Sequence, residues 1–275
     1  MKKIPVNFSS KVIIGFFIVL VVWWFFILTK GLQNTNQNYF YGVLEGVLPV
    51  VGAIFGFTNS KKWGWFDSAM GRSVFFLSSG LLTWGIGTIV FGYYNIFLQI
   101  AVPYPSVADG FYIISWVLWA ISMINLSRAT GIKFRLGNLT GRLMLFFIPV
   151  IAIIFSYYAL IVVARQGVFG FSGDVLTTFF NLAYPIGDIV ILTIALLIYG
   201  LSFNYLGGFF KWPIIIILAG FVMNYVGDFF FVYLTTKGTY FVADWVDLIY
   251  TSVFFLLSLG ACLLDPIYYS ENNKI

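Results

Sequence analysis

The 275-residue chain is 61% hydrophobic and 21% aromatic but only 9% charged, with 15 lysines and arginines against 10 acids and a net charge of +5. A soluble domain carries roughly 25% charged residues to keep its surface hydrated, so this composition excludes a water-soluble globule and reads as an all-α integral membrane protein. The absence of histidine and the single cysteine, Cys262, exclude His-ligated haem, histidine-bearing metal sites, Ser-His or Cys-His catalytic pairs, a CxxC site and an internal disulfide framework.

A helix needs about 20 apolar residues to cross about 30 Å of hydrocarbon. Eight stretches meet or approach that length: 12–28, 40–57, 73–97, 108–126, 143–163, 176–203, 212–234 and 242–264. The first follows Lys2, Lys3 and Lys11 like a signal peptide, but Phe26-Ile27-Leu28-Thr29-Lys30 offers no small-x-small cleavage site, so it is read as an anchor helix. The second opens with Tyr41-x-x-x-Glu45 and carries Gly42-x-x-x-Gly46 and Gly52-x-x-x-Gly56, patterns that let helices approach closely. The third holds Gly80, Gly85 and Gly87, and the fourth is entered through Val107-Ala108-Asp109 with Tyr112 close behind. The sixth carries Asn181 and Tyr184-Pro185-Ile186-Gly187-Asp188 on one side. The seventh holds Gly220, Gly227 and the i,i+4 pair Asn224 and Asp228. The eighth is entered through Val242-Ala243-Asp244, with Asp247 three residues on.

Positive charge accumulates on cytoplasmic loops. With eight spans and both termini inside, 12 of the 15 lysines and arginines fall inside, and Lys30, Arg165 and Lys237 fall outside. The net charge therefore reflects topology and gives no reason to invoke nucleic acid. Asn7, Asn125 and Asn138 each begin an N-x-S/T triplet, but all lie inside and are read as chance.

The chain reads as two repeats of four helices, about 11–126 and about 143–264. Tyr41/Glu45 and Tyr184/Asp188 share a spacing at an offset of 143, Gly80/Gly87 and Gly220/Gly227 at 140, and the two Val-Ala-Asp entries at 135. An even number of helices per unit makes the repeats parallel, within a single membrane domain.

Six acids lie within or at the mouths of spans: Glu45, Asp109, Asp188, Asp228, Asp244 and Asp247. Counted along the helices at about 1.5 Å per residue, all six gather toward the outer leaflet, and Asp228 lies about 24 Å along a span that starts inside. A charged carboxylate at mid-membrane costs at least about 2.5 kcal/mol. Asp109 and Asp244 also fit helix N-caps, and Glu45 and Asp188 fit polar contacts between helices, whereas Asp228 has no capping explanation. The reading is an outward-opening acidic, aromatic-lined cavity. Its candidate ligand-binding residues are Tyr41, Glu45, Asp109, Tyr112, Tyr184, Asp188, Asn224, Asp228, Asp244 and Asp247. Protons, a hard cation on oxygen ligands or an amine in an aromatic cage would suit it; metal and cofactor stay unassigned.

Pro105-Ser106-Val107-Ala108-Asp109-Gly110-Phe111-Tyr112 resembles the P-S-x-A-D-x-x-Y motif of multi-helix bacterial membrane modules that precede diguanylate cyclases and histidine kinases. Tyr184-Pro185-Ile186-Gly187-Asp188 is similar to their Y-P-x-G-D element, and Asp228 sits where their next acid falls. The resemblance, over roughly 40–264, implies a membrane-embedded sensory or ligand-binding role. Eleven residues follow Leu264, so any signal is expected to pass to a membrane or cytoplasmic signalling partner. Two other readings stay open: a secondary transporter of a cation or cationic solute, and a structural subunit of a larger membrane complex. An enzyme is not expected, nor a retinal pigment, because no lysine lies deep in a span. The expected location is the cell membrane.

Overall fold

The computed structural model describes residues 7–33, 35–130, 138–171, 174–202 and 210–266. Within them lie eight helices long and apolar enough to cross a bilayer, and the protein is a multi-pass, all-α membrane protein. The helices are α1 (Phe8–Lys30), α2 (Asn36–Lys62), α3 (Ala69–Tyr93), α4 (Val107–Ala129), α5 (Leu139–Ser156), α6 (Val175–Ser202), α7 (Lys211–Lys237) and α8 (Trp245–Leu263). α3 and α5 continue as π-helical segments, Tyr94–Leu98 and Tyr157–Ala164.

Capping chemistry sets the boundaries that hydropathy alone leaves loose. The Asn7 side chain accepts the Ser10 N–H at 2.8 Å and starts α1. Ser106 and Asp109 form a capping box that starts α4. The eighth span starts at 245 rather than 242, because Ala243 turns through a left-handed conformation (φ 64°) and Asp244 takes the N-cap position. α1 and α7 end on Gly31 and Gly238 at φ 61° and 66°, backbone that glycine adopts without steric cost.

α2 packs on α1, α3 and α8; α4 packs on α3 and α6; α7 packs on α6 and α8; α5 packs on α6. The first four helices therefore meet the last four in two places, where α1, α2 and α3 pack on α8 and where α4 packs on α6. At the centre, Trp84 of α3 stacks on Trp119 of α4 with ring centroids 5.2 Å apart and also meets Tyr112 and Phe254. Trp119 reaches Phe221 of α7 edge-on. On the outside, α5 exposes Phe146, Phe147, Ile151, Ile154 and Phe155, a surface that water could not solvate and acyl chains can.

The small residues do the packing expected of them. A Cβ on Gly46 would meet the Gly85 carbonyl oxygen at 2.8 Å, so α2 and α3 touch backbone to backbone. Gly52 and Gly56 receive Ser258 and Ser78. In α3, Gly80 and Gly87 receive Trp119 and Tyr112 of α4; in α7, Gly220 and Gly227 receive Leu257 and Tyr250 of α8. Gly46→Ala is expected to destabilise by about 1–3 kcal/mol, because the opposing atom is backbone and cannot rotate away. Thermal unfolding in detergent measures it, with Gly110→Ala, which meets open space, as the control.

At the basic end of the bundle, the last carbonyls of α8 lack partners within their own helix. Asn7 Nδ2 donates to the Cys262 carbonyl at 2.9 Å, Asn59 Nδ2 to Ala261 and Cys262 at 2.9 and 3.0 Å, and Trp63 Nε1 to Leu264 at 2.9 Å. Lys62 pairs with Asp265 at 2.7 Å. The Asn7 triplet thus has a structural explanation, and so does that of Asn125, whose Oδ1 accepts from Arg72 Nε at 3.0 Å.

Candidate functional site

At the opposite end, five helices each contribute one acid to a polar layer: Glu45 from α2, Asp109 from α4, Asp188 from α6, Asp228 from α7 and Asp247 from α8. Each of these carboxyls except Asp188 receives a hydrogen bond from a hydroxyl group. Tyr184 donates to Asp109 Oδ1 at 2.7 Å, tying α6 to α4, while Ser106 donates its N–H and hydroxyl to Oδ2 at 2.7 and 2.8 Å. Tyr240 donates to Asp247 Oδ1 at 2.9 Å and the Ala243 N–H to Oδ2 at 2.6 Å. Thr251 donates its one proton to Glu45 at 3.2 Å, so the Tyr41 phenol, 2.7 Å from the Thr251 oxygen, must donate to it. The resulting relay, Tyr41 to Thr251 to Glu45, joins α2 and α8, with Asp247 as the acidic neighbour of Glu45.

The fifth carboxyl differs. Asp188 lies within hydrogen-bond reach of Asp228. Asp228 accepts from Tyr250 at 2.7 Å on Oδ1 and from Asn224 Nδ2 at 2.6 Å on Oδ2. Asp188 Oδ1 and Asn224 Oδ1 are buried and have no hydrogen-bond partner.

The expected open vestibule is not what these side chains form. Glu45, Asp109, Asp188, Asp244 and Asp247 are each less than a tenth exposed, and only Asp228 is half-buried. The reason is local: Glu45, Asp109 and Asp247 are each covered by the phenol or hydroxyl that satisfies them, and Asp244 by the turn it caps. One groove on the described surface, of about 510 Å³ between the π-helical end of α5 and α7, is apolar and bordered by Phe155, Tyr158, Tyr225 and Phe229. Of the two acids named at the start of the eighth span, Asp244 caps α8 by accepting the Trp245 N–H at 2.5 Å, as its position before the helix allowed, and Asp247, one turn on, is the one close enough to act on Glu45. Tyr112 is brought in against Gly87 and Thr88, facing the acids from α4.

Three contributors escaped the sequence reading: Tyr240, Tyr250 and Thr251. The small-residue spacing held a signal for one of them, because Tyr250 fills the Gly227 notch as Tyr112 fills that of Gly87. Arg165 stands close enough to the layer for its charge to act on Asp188. Its guanidinium donates to the Asn181 carbonyl at 2.8 Å, and the Tyr104 phenol donates to Asn181 Oδ1 at 2.8 Å. Burial, reinforced by Asp109 and opposed by Arg165, pushes the Tyr104 phenol up to about 12. Burial holds Arg165 below its usual range, with Tyr104 and Asp188 opposing.

Among the described residues, no three acidic or cysteine side chains converge on one point that could hold a metal ion. The layer is built from pairs, Glu45 with Asp247 and Asp188 with Asp228, which suits single charges better than a divalent ion with its larger oxygen set.

Asp244 makes one pH effect separable. Burial raises its carboxyl and the Trp245 N–H opposes. A raised folded-state value means that its contribution is fully present below the ordinary 3.8 and is lost as pH rises through the folded value. Asp244→Asn, which preserves an N-cap, is therefore expected to reduce the fall in stability above that pH, read as the difference between the two melting-temperature profiles.

No protein-family model, curated protein or solved structure matches this chain.

Proposed function

We propose that the chain is a cell-membrane sensor or ligand-binding module, with both termini cytoplasmic, that takes up a small cation or proton in the acidic layer and signals through a partner. The observation that supports this most directly is that the layer draws one carboxyl from each of five helices, across the α2–α8 and α4–α6 contacts. A change in the charge of the layer would therefore be felt by both halves of the bundle at once. We read the two halves as parallel copies, consistent with the matched glycine notches of α3 and α7. Among the described residues, the acids of the opposite end, Asp67 and Asp265, lie outside the helices, so a sensor accounts for the layer better than a transport path.

The test is thermal unfolding of the detergent-purified chain across pH, monovalent and divalent salts and amines, beside flux into liposomes. A ligand at 100 times its dissociation constant stabilises by about 2.7 kcal/mol. Saturable stabilisation without flux is the expected result. Substrate-dependent flux would replace the sensor with a transporter, and a flat panel would make the acids structural.

A further inference from the structure

Two buried oxygen atoms have no donor: Asp188 Oδ1, on a carboxyl in contact with Asp228, and Asn224 Oδ1, on the amide that donates to Asp228. Asp188 is 4% exposed and Asn224 is 0% exposed. The amide of Asn224 cannot be turned to relieve its oxygen, because its Nδ2 already donates to Asp228 and the reverse orientation would set oxygen against carboxylate. The Tyr250 hydroxyl proton is likewise spent on Asp228, leaving the lone pairs of that phenol free. The cluster is therefore rich in acceptors and has used its donors. Buried polar groups are ordinarily satisfied, so something carrying positive charge or a proton belongs there.

The charge balance sets its valence. Asp188 and Asp228 supply two carboxyl groups, and the charged or titratable groups facing them are Arg165 beside Asp188, Tyr225 on α7 and Tyr250 on α8. With the guanidinium counted, one negative charge remains to be neutralised. Two carboxylates in hydrogen-bond contact cannot both stay ionised with nothing between them, so the position holds either one proton or one monovalent cation. Hard oxygen ligands and close confinement favour a small ion, sodium or lithium over potassium. Asp228, the half-buried acid of the five, gives the route in.

We propose that Asp188, Asp228 and Asn224, completed by the Tyr250 phenol oxygen, form a proton–sodium exchange site. This rests on reading the acidic layer as a ligand site and names its occupant. In the proton form, an O–H on one carboxyl is hydrogen-bonded to the other. Sodium entry breaks that O–H bond, releases the proton to water and leaves the cation between two carboxylates, with no electron transfer.

The experiment adds NaCl, LiCl, KCl or choline chloride to the weakly buffered, detergent-solubilised chain, with a pH indicator and a parallel thermal melt. Sodium and lithium are expected to release about one proton per chain and to raise the melting temperature saturably. Potassium should do so weakly and choline not at all. Asp188→Asn and Asp228→Asn should each abolish the release, and Asp109→Asn should keep it. Asn224→Leu provides a second route should either acid variant fail to fold, and should weaken sodium binding. An equal response to choline chloride, or release that survives in the acid variants, overturns the site. So does a wild-type chain without sodium-specific release, which would leave water as the occupant of the free oxygens. Should an amine or a divalent ion still stabilise the chain in that last case, the sensor reading stands and only the exchange site falls.

Discussion

Trp119→Ala is expected to lower the unfolding free energy by about 3–5 kcal/mol. Trp119 is fully buried, fills the notch at Gly80, stacks on Trp84 and donates its Nε1–H to the Leu77 carbonyl at 3.3 Å. It links α3, α4 and α7, so its loss opens a void where three helices meet. Lipid is as apolar as the protein interior, so the transfer part of the cost shrinks in a membrane protein. The dispersion contacts and the cavity remain, which places the effect toward the lower end of the range. Phe147→Ala, on the exposed face of α5, is expected to change stability by no more than about 0.5 kcal/mol. Equal effects of the two, in thermal or denaturant unfolding, would mean that the tryptophan cluster is not the core of the fold.

Asp228→Leu is expected to cost about 2–6 kcal/mol, because it strands two donors at once. The Tyr250 hydroxyl and the Asn224 amide would both lose their acceptor, at about 1–3 kcal/mol each. Asp228→Asn keeps an oxygen that can accept one of them and should cost less. The alternative outcome is specific. A stabilised leucine variant would mean that holding Asp188 and Asp228 together costs more than the hydrogen bonds return, as happens when buried charges are replaced by well-packed apolar groups.

The eight spans were legible because each is a long apolar run, and the acids were legible because charge is so scarce between them. Their partners were not legible. Tyr184 reaches Asp109 across 75 residues and Thr251 reaches Glu45 across 206, and only the crossing of α2 with α8 and α4 with α6 decides those meetings. Naming both Asp244 and Asp247 left open which of the two caps α8 and which faces Glu45. Matching Val107-Ala108-Asp109 to Val242-Ala243-Asp244 aligns letters, whereas position in the helix aligns Ser106 and Asp109 with Asp244 and Asp247, each an N-cap followed by an acid in the first turn. Capping logic carried that information, and hydropathy did not. The open vestibule failed for a different reason: an acid count says nothing about how many phenols will fold over the acids.

The attachment of α8 to α1 and α2 sets the order of synthesis against the order of packing. The chain emerges from its N-terminal end, yet Asn7, Trp24, Asn38, Tyr41 and Asn59 find their partners in α8 or in the loop that leads into it. Until that last helix enters, the second helix presents Tyr41, Glu45 and Asn59 to lipid or to whatever shields them. A nascent bundle of seven helices is thus marked as incomplete by its own exposed polar groups, and insertion of the eighth erases the mark.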